Sequence, residues 1–266
     1  MKITANGIQI NYELSGRDEA PVVMLSHSLA SSLVMWHPQL DVLESKFKVL
    51  RFDTRGHGES DAPEGKYTLK LLAQDAVALL DALKIEAVHF VGLSMGGMIA
   101  QNLALDHGER LKSLALCDTS AIMPDEVQPI WQQRIDAARE KGLQDQVDET
   151  LERWFTPEYL SQNSPQVEMI RRQILATPVS GYIGCSEAIR YLDNLKRLCE
   201  INIPTLIIVG EEDPGTPVAA SEAMHECISG SELVVLPGAR HLSNIEQSEA
   251  FNQALMDFLL KERVTA

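Results

Sequence analysis

Val88-His89-Phe90-Val91-Gly92-Leu93-Ser94-Met95-Gly96-Gly97-Met98-Ile99-Ala100 decides how the rest of this chain is read. An apolar strand-like run passes into Gly-x-Ser-x-Gly and then directly into a helix-like stretch, so Ser94 stands at a strand-to-helix corner. Such a corner holds the serine in a strained backbone conformation, and side chains two residues to either side would collide, which accounts for Gly92 and Gly96. Gly96, Gly97, Ala100 and Ala104 then give the following helix a small-residue face for close packing on a sheet. A strained serine in that setting is a candidate nucleophile.

Outward from this corner, similar apolar runs recur: Val22–Leu25, Lys48–Phe52, Leu114–Leu116, Leu206–Val209 and Leu233–Leu236. Runs without polar alternation are expected of strands covered on both faces, which means a parallel sheet. Ile8–Tyr12 alternates instead and reads as an early strand with one wet face. Leu69–Leu83 carries apolar residues at 71, 72, 76, 79, 80 and 83, a helical spacing. Strand and helix thus take turns, and the predicted fold is α/β, a mostly parallel, doubly wound sheet.

One stretch breaks the alternation. From Ala121 to Cys199 no buried strand is written, and amphipathic helices carry Trp131, Trp154, Phe155, Tyr159 and Tyr182. The expected organisation is a core of residues 1–120 and 200–266 with a helical cap, 121–199, inserted at the carboxyl ends of the strands, where α/β sheets bind ligands and a lid would act.

The composition narrows the function. A net charge of −15 over 266 residues repels a polyanion, so nucleic acid is not an expected partner. A hydrophobic content of 45% with 23% charged residues suits a globular chain. Met1–Gly7 lacks the apolar core of a signal peptide, and Phe90–Leu105, interrupted by Gly, Ser, Gln and Asn, is too short for a membrane span. Cys117, Cys185, Cys199 and Cys227 form no close pair, so reduced thiols in a cytoplasm are expected, without a metal site. No phosphate-cradling motif appears, and no cofactor is expected.

A serine hydroxyl needs a histidine to take its proton, and the histidine needs a carboxylate to orient it and stabilise its cation. Among seven histidines His241 lies in a loop just past the last predicted strand, whereas His89 falls inside a strand and His225 on a helix. His27 and His57, the latter in the turn Asp53–Ser60, read as structural. Asp213 follows Leu206–Val209 and is the favoured acid; Asp118, at the end of the preceding strand, competes for the same role. The oxyanion donors would be the backbone N–H groups of Met95, directly after the serine, and of Leu29, in the loop Ser26-His27-Ser28-Leu29.

The order Ser94, Asp213, His241, together with the corner motif, resembles the α/β-hydrolase superfamily over essentially the whole chain. Within it, Arg51-Phe52-Asp53-Thr54-Arg55-Gly56-His57-Gly58, Gly92–Met98, Met35-Trp36, Arg153-Trp154-Phe155-Thr156 and His241-Leu242-Ser243-Asn244-Ile245-Glu246 are similar to 3-oxoadipate enol-lactonases. One loop departs: that family often has Ser-Asn-Ser-Leu-Gly where this chain has Ser26-His27-Ser28-Leu29-Ala30. The resemblance implies serine-dependent hydrolysis of a five-membered enol lactone to 3-oxoadipate, in aromatic-compound catabolism. It also implies a free carboxylate on the substrate, which an acidic protein must meet with a local cation. Arg134, three residues after Trp131, is the candidate, with Arg153 second, and Trp154 is the candidate pocket wall. A general carboxylesterase, another lactonase, and a hydrolase-fold ligand receptor are the alternatives, separable by turnover.

Overall fold

The computed structural model describes residues 1–264. Among the described residues eight strands form one sheet: β1 (Lys2–Ala5), β2 (Ile8–Gly16), β3 (Val22–Ser26), β4 (Lys48–Phe52), β5 (Val88–Leu93), β6 (Leu111–Cys117), β7 (Thr205–Gly210) and β8 (Glu232–Leu236). Their spatial order is β1-β2-β4-β3-β5-β6-β7-β8. All pairings from β4 to β8 are parallel, while β2 runs antiparallel to β1 and to β4. The continuous apolar runs fill the middle: every residue of β5 and β7 is buried, as a strand covered on both faces requires.

Two strands differ from the sequence reading. β1 has four residues, Lys and Thr among them, and carries little apolar signal; its pairing with β2, from Lys2 opposite Asn11 to Ala5 opposite Ile8, is what makes it a strand. The apolar run of β8 predicts a strand covered on both faces, yet Glu232 and Val235 are exposed. It is the last strand of the order, at a margin that the covering helices do not fully reach.

The helices are α1 (His37–Glu44), α2 (Leu69–Ala82) and α3 (Met95–Asp106), then α4 (Gln128–Lys141), α5 (Val147–Trp154), α6 (Pro157–Ser161), α7 (Pro165–Ala176) and α8 (Val179–Ile189), and finally α9 (Val218–Cys227), α10 (Ser243–Glu246) and α11 (Ser248–Val264). α1 packs on α11, and α2 on α3, so the sheet is clad by paired helices. In α2, Leu69, Leu72, Ala73, Ala76, Leu79 and Leu80 form the buried stripe, and the Thr68 side chain caps the first turn by accepting from the Leu71 N–H. No helix among the described residues is long and apolar enough to cross a membrane.

α4 to α8 all lie between β6 and β7. Prolines open α6 and α7, with Thr156 and Ser164 capping them. α8 seats this segment on the core through small residues: a Cβ on Gly181 would strike the backbone of Gly56, and one on Gly184 would meet the Tyr67 ring at 2.8 Å.

The corner after β5 shows the same economy of space. A Cβ on Gly92 would collide with the carbonyl of Gly96, and one on Gly96 with the carbonyl oxygen of Ser26 on β3. A Cβ on Gly97 would come within 2.7 Å of Thr119. α3 therefore begins in backbone contact with the sheet. Gly96→Ala should cost roughly 3 kcal/mol and lower the thermal midpoint by about 5–10 °C, because the obstructing atom is main chain and cannot swing aside. Thermal unfolding followed by circular dichroism measures this, beside Gly108→Ala, where the added methyl meets open space.

Candidate active site

Ser94 closes β5 and caps α3 with φ 55° and ψ −115°, a region that residues with a Cβ rarely occupy. Three backbone ties hold it there. Its N–H donates to the Cys117 carbonyl at 2.9 Å, and its own carbonyl accepts from the Met98 N–H at 3.1 Å and from the Thr119 hydroxyl at 2.7 Å. The side chain is thereby aimed away from the helix.

The loops that follow β7 and β8 arrive beside it. Ser94 Oγ donates to His241 Nε2 over 2.9 Å, and His241 Nδ1 donates to Asp213 Oδ2 over 2.7 Å. Asp213 accepts further bonds from the N–H groups of Gly215 (2.8 Å) and Thr216 (3.1 Å) and from the Thr216 hydroxyl (2.6 Å). Its four acceptor positions are thus filled, which leaves the carboxylate one orientation. Thr216 was not singled out from the sequence, although an aspartate bonding the N–H three residues on is a local turn pattern.

All three side chains are buried. Burial disfavours the imidazolium, but the Asp213 carboxylate and its hydrogen bond outweigh that and raise the His241 pKa above its ordinary value. Burial likewise pushes Asp213 up, and the pull of His241 with the Thr216 bonds brings it below the usual carboxylate range. An Nε2 facing a hydroxyl, backed by an anion on the far nitrogen, is the arrangement that general-base catalysis requires.

Asp118 stands apart from this line. Its Oδ1 accepts from the Gly210 N–H at 2.9 Å and its Oδ2 lies 2.6 Å from the Ser243 hydroxyl. It is completely buried, at φ 43°, and burial first, then the charge of Asp213, lift its pKa to about 8. The carboxyl thus joins the end of β7 to the start of α10, the two places from which Asp213 and His241 depart. That bridging position could not be read from the chain.

Met95 is the first residue of α3, where backbone N–H groups lack intrahelical acceptors. Across the cavity, the N–H of Ser28 points to Met35 Sδ at 3.4 Å and that of Ala30 to His57 Nε2 at 2.9 Å, and the Leu29 N–H lies between them. Ala30 adopts φ 56°, the left-handed conformation that favours glycine. His27 and His57 are inside the fold as backbone acceptors: His27 Nε2 takes the Thr54 N–H at 2.9 Å. Burial lowers them to about 4 and about 3, so both are neutral.

A cavity of about 240 Å³ opens above Ser94 and His241. Leu29 and Ala30 line its floor, and Trp131, Trp154 and Tyr182 its walls. The Trp154 ring lies 6.1 Å from the His241 ring. Arg134 and Arg153 both face the cavity. Arg153 is engaged by Glu149 at 2.5 Å and by the Thr150 hydroxyl at 3.0 Å, and burial, then the neighbouring Arg134, lowers its pKa. Arg134 rests on the Trp131 ring, 5.4 Å from its centroid, and enters no salt bridge among the described residues. No cluster of three or more His, Cys, Asp or Glu residues suited to a metal ion occurs among the described residues.

Residues 21–248 match the profile of the alpha/beta hydrolase fold family. The chain is 38% identical to 3-oxoadipate enol-lactonase 2 of Acinetobacter baylyi over 253 residues, covering 95% of this chain and 94% of that protein. The crystal structure of the enol-lactonase from Burkholderia xenovorans superposes with a TM-score of 0.94 at 38% identity, over 98% of this chain and all of that one. A thermophilic esterase from Thermogutta terrifontis, solved with malate bound, gives 0.91 at 31% identity over 98% of each chain.

Asp118 yields a sign that can be checked. Its folded-state pKa, about 8, lies above the ordinary 3.8, so between these values the folded protein holds a proton that the unfolded chain releases. The stability it contributes is complete below pH 4 and is lost as the pH rises towards 8 and beyond. Asp118→Asn keeps an acceptor for Gly210 and removes the charge, while its amide N–H group faces the Ser243 hydroxyl, which donates to Oδ2 in the parent and turns to accept in the variant. The variant should therefore melt above the parent at pH 8.5 by several degrees, with the gap shrinking at pH 5, as followed by thermal unfolding across the range.

Proposed function

We propose, for a chain that belongs to the alpha/beta hydrolase fold family, that its activity is hydrolysis of 3-oxoadipate enol-lactone to 3-oxoadipate through an acyl-enzyme on Ser94. The observation that carries the chemistry is the continuous hydrogen-bonded line Ser94–His241–Asp213 on the floor of the cavity. Kinship with enol-lactonases over nearly the whole chain supports the substrate.

The steps follow from the positions. Ser94 Oγ attacks the lactone carbonyl as its proton passes to His241 Nε2, and Asp213 stabilises the imidazolium through Nδ1. The carbonyl oxygen, now an anion, is received by the N–H groups of Met95 and Leu29. Collapse of the tetrahedral species breaks the bond from the acyl carbon to the ring oxygen. The leaving group is an enolate, which departs with little need of an acid, takes the proton back and becomes a ketone. The ring opens, so the departing end stays attached to the acyl chain. Water then gives its proton to His241 and attacks the acyl carbon, and in the second collapse His241 returns that proton to Ser94 Oγ, which frees the serine and the product acid, which ionises to the carboxylate.

The acetate arm of the substrate requires a cation, and Arg134 is the guanidinium at the cavity without a carboxylate partner. Its seat on Trp131 orients it without neutralising it. Trp154, beside His241, walls the side where the ring would lie. The helices of residues 121–199 carry Arg134, Trp131 and Trp154, so this segment acts as the cap that recognises the acid arm while the core performs the chemistry.

Purified protein should consume the enol-lactone, followed by loss of its ultraviolet absorbance, and Ser94→Ala should lower kcat by about 10⁴-fold or more. Serine-dependent cleavage of a nitrophenyl ester without lactone turnover would keep the catalytic line and discard the substrate. Arg134→Ala should raise KM for the anionic lactone roughly tenfold, the worth of one charged hydrogen bond, and leave KM for neutral nitrophenyl acetate unchanged. Equal effects on both substrates would remove Arg134 from carboxylate recognition.

A further inference from the structure

The segment from Ser28 to Leu33 connects β3 to the next helical turn and carries Leu29 at its centre. From beneath, the core grips it at three points: Ser28 N–H on Met35 Sδ at 3.4 Å, Ala30 N–H on His57 Nε2 at 2.9 Å, and Leu33 N–H on Asp53 Oδ1 at 2.8 Å. Between the second and third grips the chain passes through the left-handed turn at Ala30, a conformation that a residue with a Cβ holds only when its surroundings impose it.

The missing restraint comes from above. Gln173, on α7, places its single Oε1 against three donors of this loop: Ser31 Oγ at 2.8 Å, Ser32 N–H at 2.9 Å and Ser32 Oγ at 3.0 Å. Its Nε2 reaches only the Met169 carbonyl of its own helix, at 3.4 Å, so the acceptor end does the gripping. The charged side chains of α7 pair within the inserted segment, Arg171 with Asp148 and Arg172 with Glu168. Ile174, the next residue, lines the cavity together with Leu29. α7 is therefore wall and clamp at once.

We propose that Gln173 is a positioning residue for oxyanion stabilisation: by fastening Ser31 and Ser32 to the cap it fixes where the Leu29 N–H stands, and the seating of the cap completes the donor pair. This rests on the acyl-transfer reading above, in which Leu29 and Met95 receive the oxyanion. A donor displaced by a fraction of an ångström loses its preference for the tetrahedral oxygen while ground-state binding is little affected.

The test compares Gln173→Leu, Gln173→Glu and wild type on the enol-lactone and on nitrophenyl acetate. An aryl boronic acid that adds to Ser94 reports affinity for the tetrahedral geometry. Loss of the clamp in Gln173→Leu should lower kcat about tenfold on both substrates, less than the 10²–10³-fold of deleting a donor outright, with KM within about twofold. Boronate affinity should fall in step with kcat, and the acidic limb of the pH profile, which reports His241, should not move. Gln173→Glu keeps an acceptor for all three donors and should retain kcat within about threefold. If Gln173→Leu does not fold, Ser31→Ala/Ser32→Ala, which leaves α7 intact, carries the same expectation at about half the logarithmic loss. Wild-type kcat and boronate affinity in the leucine variant, equal losses in the leucine and glutamate variants, or a shifted acidic limb would each overturn the proposal. A wild type inert to the lactone but active on the ester overturns the substrate alone, because the Gln173 comparison still reads on the ester.

Discussion

The bond from the Ser94 N–H to the Cys117 carbonyl, at 2.9 Å, is the constraint on which the rest of the structure depends. It fastens a serine with φ 55° to the neighbouring strand at the point where its own strand must become a helix. A conformation of that kind costs of order 1–3 kcal/mol and survives only if everything around it is fixed. Gly92, Gly96 and Gly97 supply the close approaches, β3 and β6 supply the walls, and Thr119 ties down the carbonyl. A parallel sheet is what makes this affordable, since β5 lies between two strands whose carboxyl ends stop at the same level.

Identical side chains take different states according to where the fold places them. His241 gains basicity from Asp213, whereas His27 and His57, equally buried but bonded to no carboxylate, are held neutral well below the ordinary range. Asp213 and Asp118 divide likewise. Asp213 has His241 and Thr216 to stabilise its charge, while burial beside that charge makes Asp118 retain its proton to about pH 8. Both neighbours donate to Asp118, the Gly210 N–H to Oδ1 and the Ser243 hydroxyl to Oδ2, and these bonds favour the anion without outweighing its burial beside Asp213.

The inserted helices are not only a cover. They meet the core where the reacting groups depart from it: the Trp154 carbonyl accepts the Leu242 N–H at 3.1 Å next to His241, Glu246 bonds the Thr156 N–H at 2.9 Å, and Gln173 holds Ser31 and Ser32 beside Leu29. In the proposed reaction recognition and geometry are thereby coupled, since the segment that carries Arg134 also contacts the loops that bear His241 and Leu29. The overall charge of −15 gives no hint of this local cationic roof.

Much of this was legible in the chain, for a physical reason. Mostly apolar runs at 88–91, 114–116 and 206–209 fit strands covered on both faces, and a parallel sheet puts their carboxyl ends on one edge. Ser94, Asp213 and His241 lie within a few residues after the strands that end at 93, 210 and 236, so local pattern sufficed to name them as candidates. What the chain could not disclose depends on contacts between residues far apart in it. β1 exists because of β2, and β8 is open because it is last in spatial order. The choice between two aspartates turned on a 2.7 Å bond to His241 that one makes and on a bridge to Gly210 and Ser243 that the other makes. Gln173, 141 residues from Ser32, has no local pattern to betray it. Periodicity and turn chemistry are written in neighbouring residues and can be read one segment at a time, whereas hydrogen-bond partners, burial and the pKa values that follow from them are set only when the segments have met.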